Sequence, residues 1–317
     1  MKVFSIPLRT RFRGLSLREG ALVEGEVGWG EFSPFLEYDA ATSAPWLACA
    51  REAADVGWPA PVRWSVPVNV TVPACSPEKA REIVLASAGC RTAKVKVAEA
   101  GQQPREDEAR LEAVRDALGP DGLVRIDVNG GWSVDEAVAR IPVLERAAGG
   151  LEYVEQPVAS VEDLALVRRR VAVPIAADES IRRAVDPYRV RDLDAADIAV
   201  LKVQPLGGVR ACLRIAEDIG LPVVVSSAVE SSIGIAAGVA LAAALPELPY
   251  ACGLATVQLL SDDVVADPLL PVDGALPVRR PTVDAARLEQ VAASPEREEH
   301  WRRRMAEVEA VRQDHRS

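Results

Sequence analysis

Residues 92–97 read T-A-K-V-K-V, a short strand pattern in which two lysines interrupt the apolar residues. Lys94 and Lys96 are two residues apart, so both side chains point to the same face of a strand. Strands of a parallel barrel are buried on both faces, and their inward positions are normally apolar. Because a buried charge is costly unless it is paired or binds a metal, we interpret both lysines as candidate site residues.

The same anomaly recurs near the end of four more apolar segments. They read V-R-I-D-V-N, L-E-Y-V-E-Q-P, P-I-A-A-D-E-S and I-A-V-L-K-V-Q-P, and the charged residues that recur near their ends, one in each segment, are Asp127, Glu155, Asp178 and Lys202. Successive gaps from Lys96 are 31, 28, 23 and 24 residues, which suits one strand–helix unit each. The carboxyl ends of barrel strands meet at one mouth, so we expect these residues to converge there.

From about residue 64, short apolar runs alternate with segments of helical period. The eight strand candidates are Ser65–Val70, Ala93–Val97, Leu123–Val128, Leu151–Glu155, Pro174–Asp178, Ile198–Val203, Pro222–Ser226 and Tyr250–Leu254. Eight strands alternating with helices predict a parallel (β/α) barrel of the TIM type, an α/β fold. A doubly wound open sheet is the alternative, but it usually carries a glycine-rich phosphate turn, and neither GxGxxG nor GxxxxGK(S/T) occurs. Pro142 should kink or end the helix that begins at Ser133.

Residues 1–62 follow a different pattern. The segment V-E-G-E-V-G-W-G-E-F at 23–32 alternates and is rich in glycine, which predicts antiparallel strands with tight turns. A helical stretch follows over about 40–56, and Pro59 and Pro61 then interrupt the chain. We therefore predict an α+β N-terminal domain over 1–62 and a barrel over 63–255.

The composition narrows the function classes. Apolar residues make up 49% of the 317, enough for a large core, and the net charge of −10 argues against nucleic acid as a partner. Five cysteines without a CxxC pair predict a reducing, cytoplasmic location. No run of about 18 apolar residues suggests a membrane span. The two histidines, His300 and His315, lie near the C-terminus, so acid–base chemistry falls to lysine or carboxylate.

The converging residues predict a specific chemistry. Asp127, Glu155 and Asp178 supply the oxygen ligands that Mg²⁺ prefers, although Mn²⁺ fits the same ligand types. Lys96 would lie beside a second cation, which lowers the pKa of a lysine and makes it a usable base. The metal would stabilise the charge formed when a proton leaves the carbon beside a carboxylate. We therefore expect a small-molecule carboxylate substrate. Asn129, Gln156 and Ser180 either hydrogen-bond a metal ligand or cap a loop. Glu179 either binds the metal instead of Asp178 or pairs with a lysine.

The segments K-V-K, D-V-N, V-E-Q-P, A-D-E-S and L-K-V-Q-P-L-G-G resemble the muconate lactonizing branch of the enolase superfamily over about residues 20–280. A lysine base with Mg²⁺ is the arrangement already known for sites of that superfamily. The segments G-W-G-E-F-S-P-F-L-E-Y and C-G-L-A-T-V-Q-L-L-S-D-D resemble the o-succinylbenzoate synthases, particularly those of actinobacteria. The resemblance implies a modified (β/α)7β barrel whose C-terminal segment, 256–317, returns to an N-terminal capping domain.

The resemblance also implies a reaction, the Mg²⁺-dependent syn-dehydration of 2-succinyl-6-hydroxy-2,4-cyclohexadiene-1-carboxylate to o-succinylbenzoate in menaquinone biosynthesis. Lys96 matches the base, Lys202 the second lysine that stabilises the enediolate, and Lys94 the lysine near the substrate carboxylate. Asp127, Glu155 and Asp178 match the metal ligands. Residues 11–17 would form a closing loop, and the succinyl pocket would be lined by Ser226, Ser227 and Glu230.

Other functions remain open at this level. An N-acylamino acid racemase or dipeptide epimerase would use the same two lysines, but the Asp-x-Asp pair typical of dipeptide epimerases is absent from Tyr250–Thr256. Muconate cycloisomerase is disfavoured by the short N-terminal domain. A barrel that binds a metabolite without catalysis would be expected to lack a base or a ligand, and none is missing. The sequence is compatible with a monomer or a small homo-oligomer.

Overall fold

The computed structural model describes residues 1–12, 14–183 and 186–314. Its largest sheet has seven parallel strands in the order in which they occur along the chain. These are β5 (Val70–Val72), β6 (Thr92–Lys96), β7 (Leu123–Asp127), β8 (Tyr153–Glu155), β9 (Ile175–Ala177), β10 (Ile198–Lys202) and β11 (Val223–Ser226). This order, with helices between the strands, is that of a TIM-type barrel, as predicted.

The helices that separate these strands cover the outside of the sheet. They are α2 (Pro77–Leu85), α3 (Pro104–Leu118), α4 (Val134–Ala147), α5 (Val161–Arg168), α6 (Glu179–Arg182), α7 (Arg189–Asp192), α8 (Val209–Ile219) and α9 (Ser232–Ala244). Because helices cover one face and the barrel interior the other, the strands are apolar on both sides. No helix in the described parts of the chain is long and apolar enough to cross a membrane.

The first and last predicted barrel strands differ from expectation. Ser65–Val70 is not one strand: β4 (Ser65–Pro67) pairs antiparallel with β12 (Ala275–Pro277), and the barrel strand begins only at Val70. Pro67 has no N–H to donate to a ladder, which explains the break. The predicted eighth strand makes only isolated parallel bridges, from Cys252 to Val68 and from Gly253 to Ser226. These bridges nevertheless link β11 to the start of the sheet.

The N-terminal part forms an antiparallel sheet of β1 (Lys2–Phe12), β2 (Leu15–Glu24) and β3 (Trp29–Phe32), followed by α1 (Ala40–Arg51). The predicted helix over 40–56 ends as a π-helical turn, Glu52–Val56. Gly30 permits the close packing of β3 on α1, because a Cβ there would lie 2.0 Å from the carbonyl oxygen of Ala50. We call this sheet and α1 the cap.

The C-terminal part consists of a 3₁₀ turn (Ala255–Leu259), β12, α10 (Ala285–Gln290) and α11 (Pro295–Asp314). The last helix packs on the cap: Trp301 is fully buried with its ring edge-on to Phe32, at a centroid distance of 6.0 Å. The Arg304 guanidinium donates to the carbonyl oxygens of Phe35 and Tyr38 at 2.6 and 2.9 Å. Helix α11 thus packs against the N-terminal antiparallel sheet.

The helix that contains Pro142 runs without interruption from Val134 to Ala147. The Ser133 side chain accepts a hydrogen bond from the Glu136 N–H at 3.3 Å, so the predicted start of the helix is confirmed. Of the two predicted effects of Pro142, a kink or an end of the helix, the second is wrong, because packing of the helix's buried face holds it together despite the missing N–H. Ala137, Ile141 and Leu144 form that face.

Candidate active site

Barrel register brings the charged residues of neighbouring strands together at the carboxyl ends. Lys96 is the Cα partner of Asp127 in the adjacent strand, and Asp127 is the partner of Glu155 in the next. Asp178 directly follows β9, and Lys202 ends β10. The carboxylates of Asp127, Glu155 and Asp178 are fully buried, so each needs a compensating charge.

Lys94 supplies part of that compensation. Its ammonium group donates to both carboxylate oxygens of Glu155 at 3.0 Å and lies 3.2 Å from Asp127 Oδ2. Burial alone would lower the pKa of Lys94, but the charges of Glu155 and Asp127 outweigh it and raise that pKa above its ordinary value. Lys94 is therefore a fixed cation.

Lys96 has a different environment on the same face of β6. Its Nζ donates to Asp127 Oδ2 at 2.5 Å and to Asn129 Oδ1 at 2.6 Å, and it lies 5.5 Å from the centre of the Phe12 ring. Burial, together with the charge of Lys94, lowers the pKa of Lys96 although Asp127 opposes the shift. This direction agrees with the sequence-based expectation and favours a lysine that can release and take up a proton.

Across the site, Asp178 lies between two cations. Its carboxylate accepts hydrogen bonds from Lys202 Nζ and from Arg182 Nε, the latter at 2.8 Å. Burial would raise the pKa of Asp178, but Arg182 and Lys202 lower it below its ordinary value. Arg182 also donates to Glu179 Oε1 at 2.5 Å and to the Tyr38 hydroxyl of the cap at 3.3 Å. The sequence analysis missed Arg182, although its i,i+4 spacing from Asp178 is a signal that could have found it.

Asn129 and Gln156, which the sequence predicts to support metal ligands or to cap loops, make different contacts. Asn129 bonds to the site directly: its N–H donates to Asp127 Oδ1 at 3.1 Å, and its Nδ2 donates to Glu179 Oε1 at 3.2 Å. Gln156 instead braces the backbone, because its Oε1 accepts from the N–H groups of Asp178 and Ser180 at 3.0 and 3.1 Å. Gln156 also donates through its Nε2 to the Ser180 hydroxyl at 2.7 Å, so it bonds to the segment that carries Asp178 and not to a carboxylate of the site.

A small cavity of about 30 Å³ lies among these groups. Its walls include all three lysines and both predicted serines; the lining residues are Phe12, Phe35, Thr71, Lys94, Lys96, Asn129, Lys202, Ser226, Ser227, Ala228, Val229, Gly253 and Thr256. Glu230 does not line it, and its Oε2 instead accepts from the Ala228 N–H at 2.7 Å. The lysines on β6 and β10 thus face one space from different strands.

The expected closing loop at residues 11–17 is the tip of a hairpin, since β1 reaches Phe12 and β2 begins at Leu15. Arg13 lies outside the described residues. Phe12, which the sequence did not single out, separates the small cavity from an outer one of about 530 Å³ that shares Lys96 and Asn129. Arg11, Phe12 and Gly14 therefore line the outer side of the site.

The donor set fits a hard divalent cation. Three buried carboxylates on neighbouring strands offer only oxygen ligands, which suit Mg²⁺. In the described chain, no three acidic, histidine or cysteine side chains form a group that could already hold a metal ion. A lysine ammonium group pairs with each of the three carboxylates instead. Burial and the charge of Asp127 raise the pKa of Glu155 to about 7. This carboxylate would therefore gain from one more cation.

Both parts of the chain match known protein families. An enolase C-terminal domain-like family model matches residues 77–282, and an enolase N-terminal domain-like model matches residues 3–54. The muconate lactonizing enzyme from Pseudomonas fluorescens has a similar fold, with a TM-score of 0.79 at 21% identity, over 92% of this chain and 97% of that one.

Two curated relatives are far closer in sequence. An o-succinylbenzoate synthase of Thermobifida fusca is 67% identical over 310 residues, which are 98% of this chain and 96% of that relative. An o-succinylbenzoate synthase of Mycolicibacterium smegmatis is 53% identical over 311 residues, covering 98% and 95%. Identity at this level over nearly the whole length shows that the chain belongs to the o-succinylbenzoate synthases of the enolase superfamily.

Proposed function

We propose that this enzyme dehydrates 2-succinyl-6-hydroxy-2,4-cyclohexadiene-1-carboxylate to o-succinylbenzoate, as a carbon–oxygen lyase of menaquinone biosynthesis in the cytoplasm. The observation that carries the proposal is the 67% identity to a protein of that name over nearly the whole chain. The reaction removes the proton beside the ring carboxylate and the neighbouring hydroxyl group. The products are an aromatic ring and one water molecule.

We assign the proton transfers to Lys96. In its neutral form Lys96 takes the proton beside the carboxylate, and the resulting ammonium then gives a proton to the leaving hydroxide, so the elimination is syn. The pKa of Lys96, lowered by burial and by Lys94, supports this assignment because a base must be neutral in part of its population. Lys202, which reaches the same cavity from β10, remains a cation and stabilises the negative charge that develops on the substrate.

We assign metal binding to Asp127, Glu155 and Asp178, with Mg²⁺ as the proposed ion and Mn²⁺ as a substitute. When bound, the ion supplies Lewis-acid stabilisation of charge on the substrate carboxylate. Asn129 holds Asp127 in position through a direct hydrogen bond, and Glu179 supports Asp178 through Arg182, which donates to both carboxylates. We also propose two domains: an N-terminal capping domain over 1–62, which the C-terminal segment 256–317 joins, and a barrel over 63–255.

The test is turnover of the cyclohexadiene carboxylate with Mg²⁺, followed by loss of its ultraviolet absorbance. We expect Lys96→Ala to lower kcat by about 10²- to 10⁴-fold, and chelation of the metal by EDTA to abolish wild-type turnover. Lys79→Ala is the matched control, because that side chain is half exposed on α2 and pairs only with Glu82 among the described ion pairs. N-succinyl amino acids serve as parallel substrates.

The outcomes separate the claims. Dehydration that disappears in Lys96→Ala and persists in Lys79→Ala supports both the reaction and the base. Racemisation of the amino acids without dehydration would replace the reaction by that of a racemase. Dehydration at the wild-type rate in Lys96→Ala would remove that lysine from the mechanism, and full activity in EDTA would remove the metal.

A further inference from the structure

The turn after β11 carries a valine in a left-handed backbone conformation. Val229 has φ of +63°, is 3% exposed, and lines the catalytic cavity. A β-branched residue rarely adopts this conformation, because its Cβ crowds the backbone there. Such an arrangement persists only where the surrounding contacts impose it.

A buried arginine of the cap makes one of those contacts. The Nε of Arg18, on β2, donates to the carbonyl oxygen of Val229 at 2.9 Å, across 211 residues of chain. Its Nη1 donates to the Glu19 carbonyl at 3.1 Å, and its Nη2 donates to the Ser33 carbonyl and, at 3.0 Å, to the Ser33 hydroxyl. With 3% exposure and four bonded acceptors, the guanidinium has a fixed orientation.

The same guanidinium contacts a second wall of the cavity. It lies over the ring of Phe35 at 4.9 Å from the ring centre, and Phe35 lines the cavity on the cap side. Arg18 does not line the cavity itself. It therefore touches the backs of two lining residues, one from the cap and one from the barrel.

We propose that Arg18 is a positioning residue that fixes the wall formed by Val229 and Phe35, and with it the fit of the substrate against that wall. The proposal rests on the proposed function, since it concerns the substrate of the same cavity. Val229 and Phe35 line the cavity with apolar side chains and are neither lysines nor proposed metal ligands, so displacement of this wall should weaken binding of the part of the substrate that does not react. Loss of such binding raises KM with little change in kcat.

The experiment compares Arg18→Lys and Arg18→Met with Arg9→Lys and Arg9→Met. Arg9 is a matched control, because its Nε also donates from the cap to a distant carbonyl, that of Leu260 at 2.8 Å, but it does not line the catalytic cavity. We expect the Arg18 variants to raise KM about tenfold with kcat within about threefold of wild type. The Arg9 variants should leave KM unchanged. Thermal unfolding of all four variants is measured alongside.

A second comparison addresses the strained turn directly. Glycine adopts positive φ without steric cost, so in a Val229→Gly background Arg18→Lys should raise KM less than it does in the wild type. Crystal structures of the Arg18→Lys and Arg9→Lys variants should show the Val229 carbonyl reoriented only in the first. This structural measurement needs no turnover, so it tests Arg18 even if the proposed reaction fails.

The positioning role would be overturned if the Arg18 and Arg9 variants changed KM equally. It would also be overturned if the Arg18 variants lowered only kcat and thermal stability. An unmoved Val229 carbonyl in Arg18→Lys would do the same. If Arg18→Met does not fold, Arg18→Lys, which keeps a charge and a long stem, carries the comparison alone. The two proposals can also fail separately. If the wild type does not dehydrate the cyclohexadiene carboxylate but the Val229 carbonyl is reoriented in Arg18→Lys, the proposed reaction is overturned and the role of Arg18 in shaping the wall is supported.

Discussion

Lys94 and Lys96 are two residues apart on one face of β6, and their surroundings shift their pKa values in opposite directions. Lys94 bonds to two carboxylates and its pKa rises; Lys96 has one carboxylate and one amide as partners, and its pKa falls. The difference separates a structural cation from a candidate base. It also means that Lys94 and a bound metal ion would compensate the same two carboxylates, Glu155 and Asp127.

This overlap makes Lys94→Met informative. Without the ammonium, Asp127 and Glu155 are buried with less compensation, and breaking such a pair costs about 3–5 kcal/mol. We expect the variant to be destabilised in EDTA and to recover more on addition of Mg²⁺ than the wild type does, because ligands that bind only the native state stabilise it. Thermal unfolding during a Mg²⁺ titration measures both effects. Lys79→Met, at an exposed ion pair, is the control, and an equal Mg²⁺-induced rise of Tm in wild type and Lys94→Met would contradict the prediction.

Single residues were predictable where their anomaly was local. A charge inside an apolar strand can be read from its own segment, and the register that joins Lys96 to Asp127 follows from parallel strand geometry. Arg18 gave no such signal, because its partner Val229 lies 211 residues away and the bond depends on how the cap docks. Arg182 was detectable in principle, since its partner Asp178 is only four residues away and immediately precedes the short helix α6.

At the scale of elements, periodicity predicted the strands in the middle of the barrel well and those at its seam poorly. Strands β6 to β11 each belong to one of the strand–helix units that the alternation of apolar runs and helical segments predicts, and neighbouring units of the same kind bury them. The first strand and the eighth meet at the seam, where pairing depends on Pro67 and on β12, which comes about 200 residues later. The residues around either strand therefore cannot predict that pairing.

Helix α4 offers a test of how far packing overrides propensity. Pro142 lies in its interior, where the missing N–H and the ring cost about 3 kcal/mol relative to alanine. Part of that cost is offset because proline restricts the unfolded chain, by about 0.4–1 kcal/mol. We therefore expect Pro142→Ala to raise the free energy of unfolding by about 2–2.6 kcal/mol, measured by urea denaturation with an unchanged m-value.

The matched substitution is Pro104→Ala. Pro104 occupies the first turn of α3, where proline is favourable, so its replacement should leave stability unchanged or slightly lower. A fall in stability for Pro142→Ala would mean that the proline ring contributes more through packing than it costs the helix.

At the scale of the whole molecule, the cap and the barrel are joined through a buried carboxylate. Glu31, on β3, accepts hydrogen bonds from the Ser231 N–H and the Gly234 N–H at 3.1 Å each, and from the Ser33 hydroxyl at 2.6 Å. It thereby caps the first turn of α9, to which it has no connection nearby in the chain. Burial raises the pKa of Glu31 from 4.5 to about 7, against the lowering effect of bonds from Ser231 and Ser33.

The raised pKa links cap docking to pH. Between about pH 4.5 and 7 the native state keeps a proton on Glu31 that the unfolded chain releases, so the stability contributed by this group falls as pH rises through that window. The destabilisation that comes from ionising the buried Glu31 side chain is present in full above about pH 7 and absent below about pH 4.5. Glu31→Gln removes the titration while keeping an oxygen acceptor for the first turn of α9. The stability of Glu31→Gln relative to wild type should therefore increase by about 3 kcal/mol from pH 4.5 to pH 8.

Urea denaturation of both proteins at several pH values measures this difference, and the contributions of groups common to both, including Glu155, cancel. Glu24→Gln, at the exposed end of β2, controls for the loss of one negative charge. A stability difference between Glu31→Gln and wild type that stays constant across the window would mean that Glu31 is ionised throughout. The hydrogen bonds from α9 and from Ser33 would then outweigh the effect of burial on the pKa of Glu31. The contact between the cap and the barrel would depend on an ionised carboxylate at the start of α9, and its strength would not change with pH in this window.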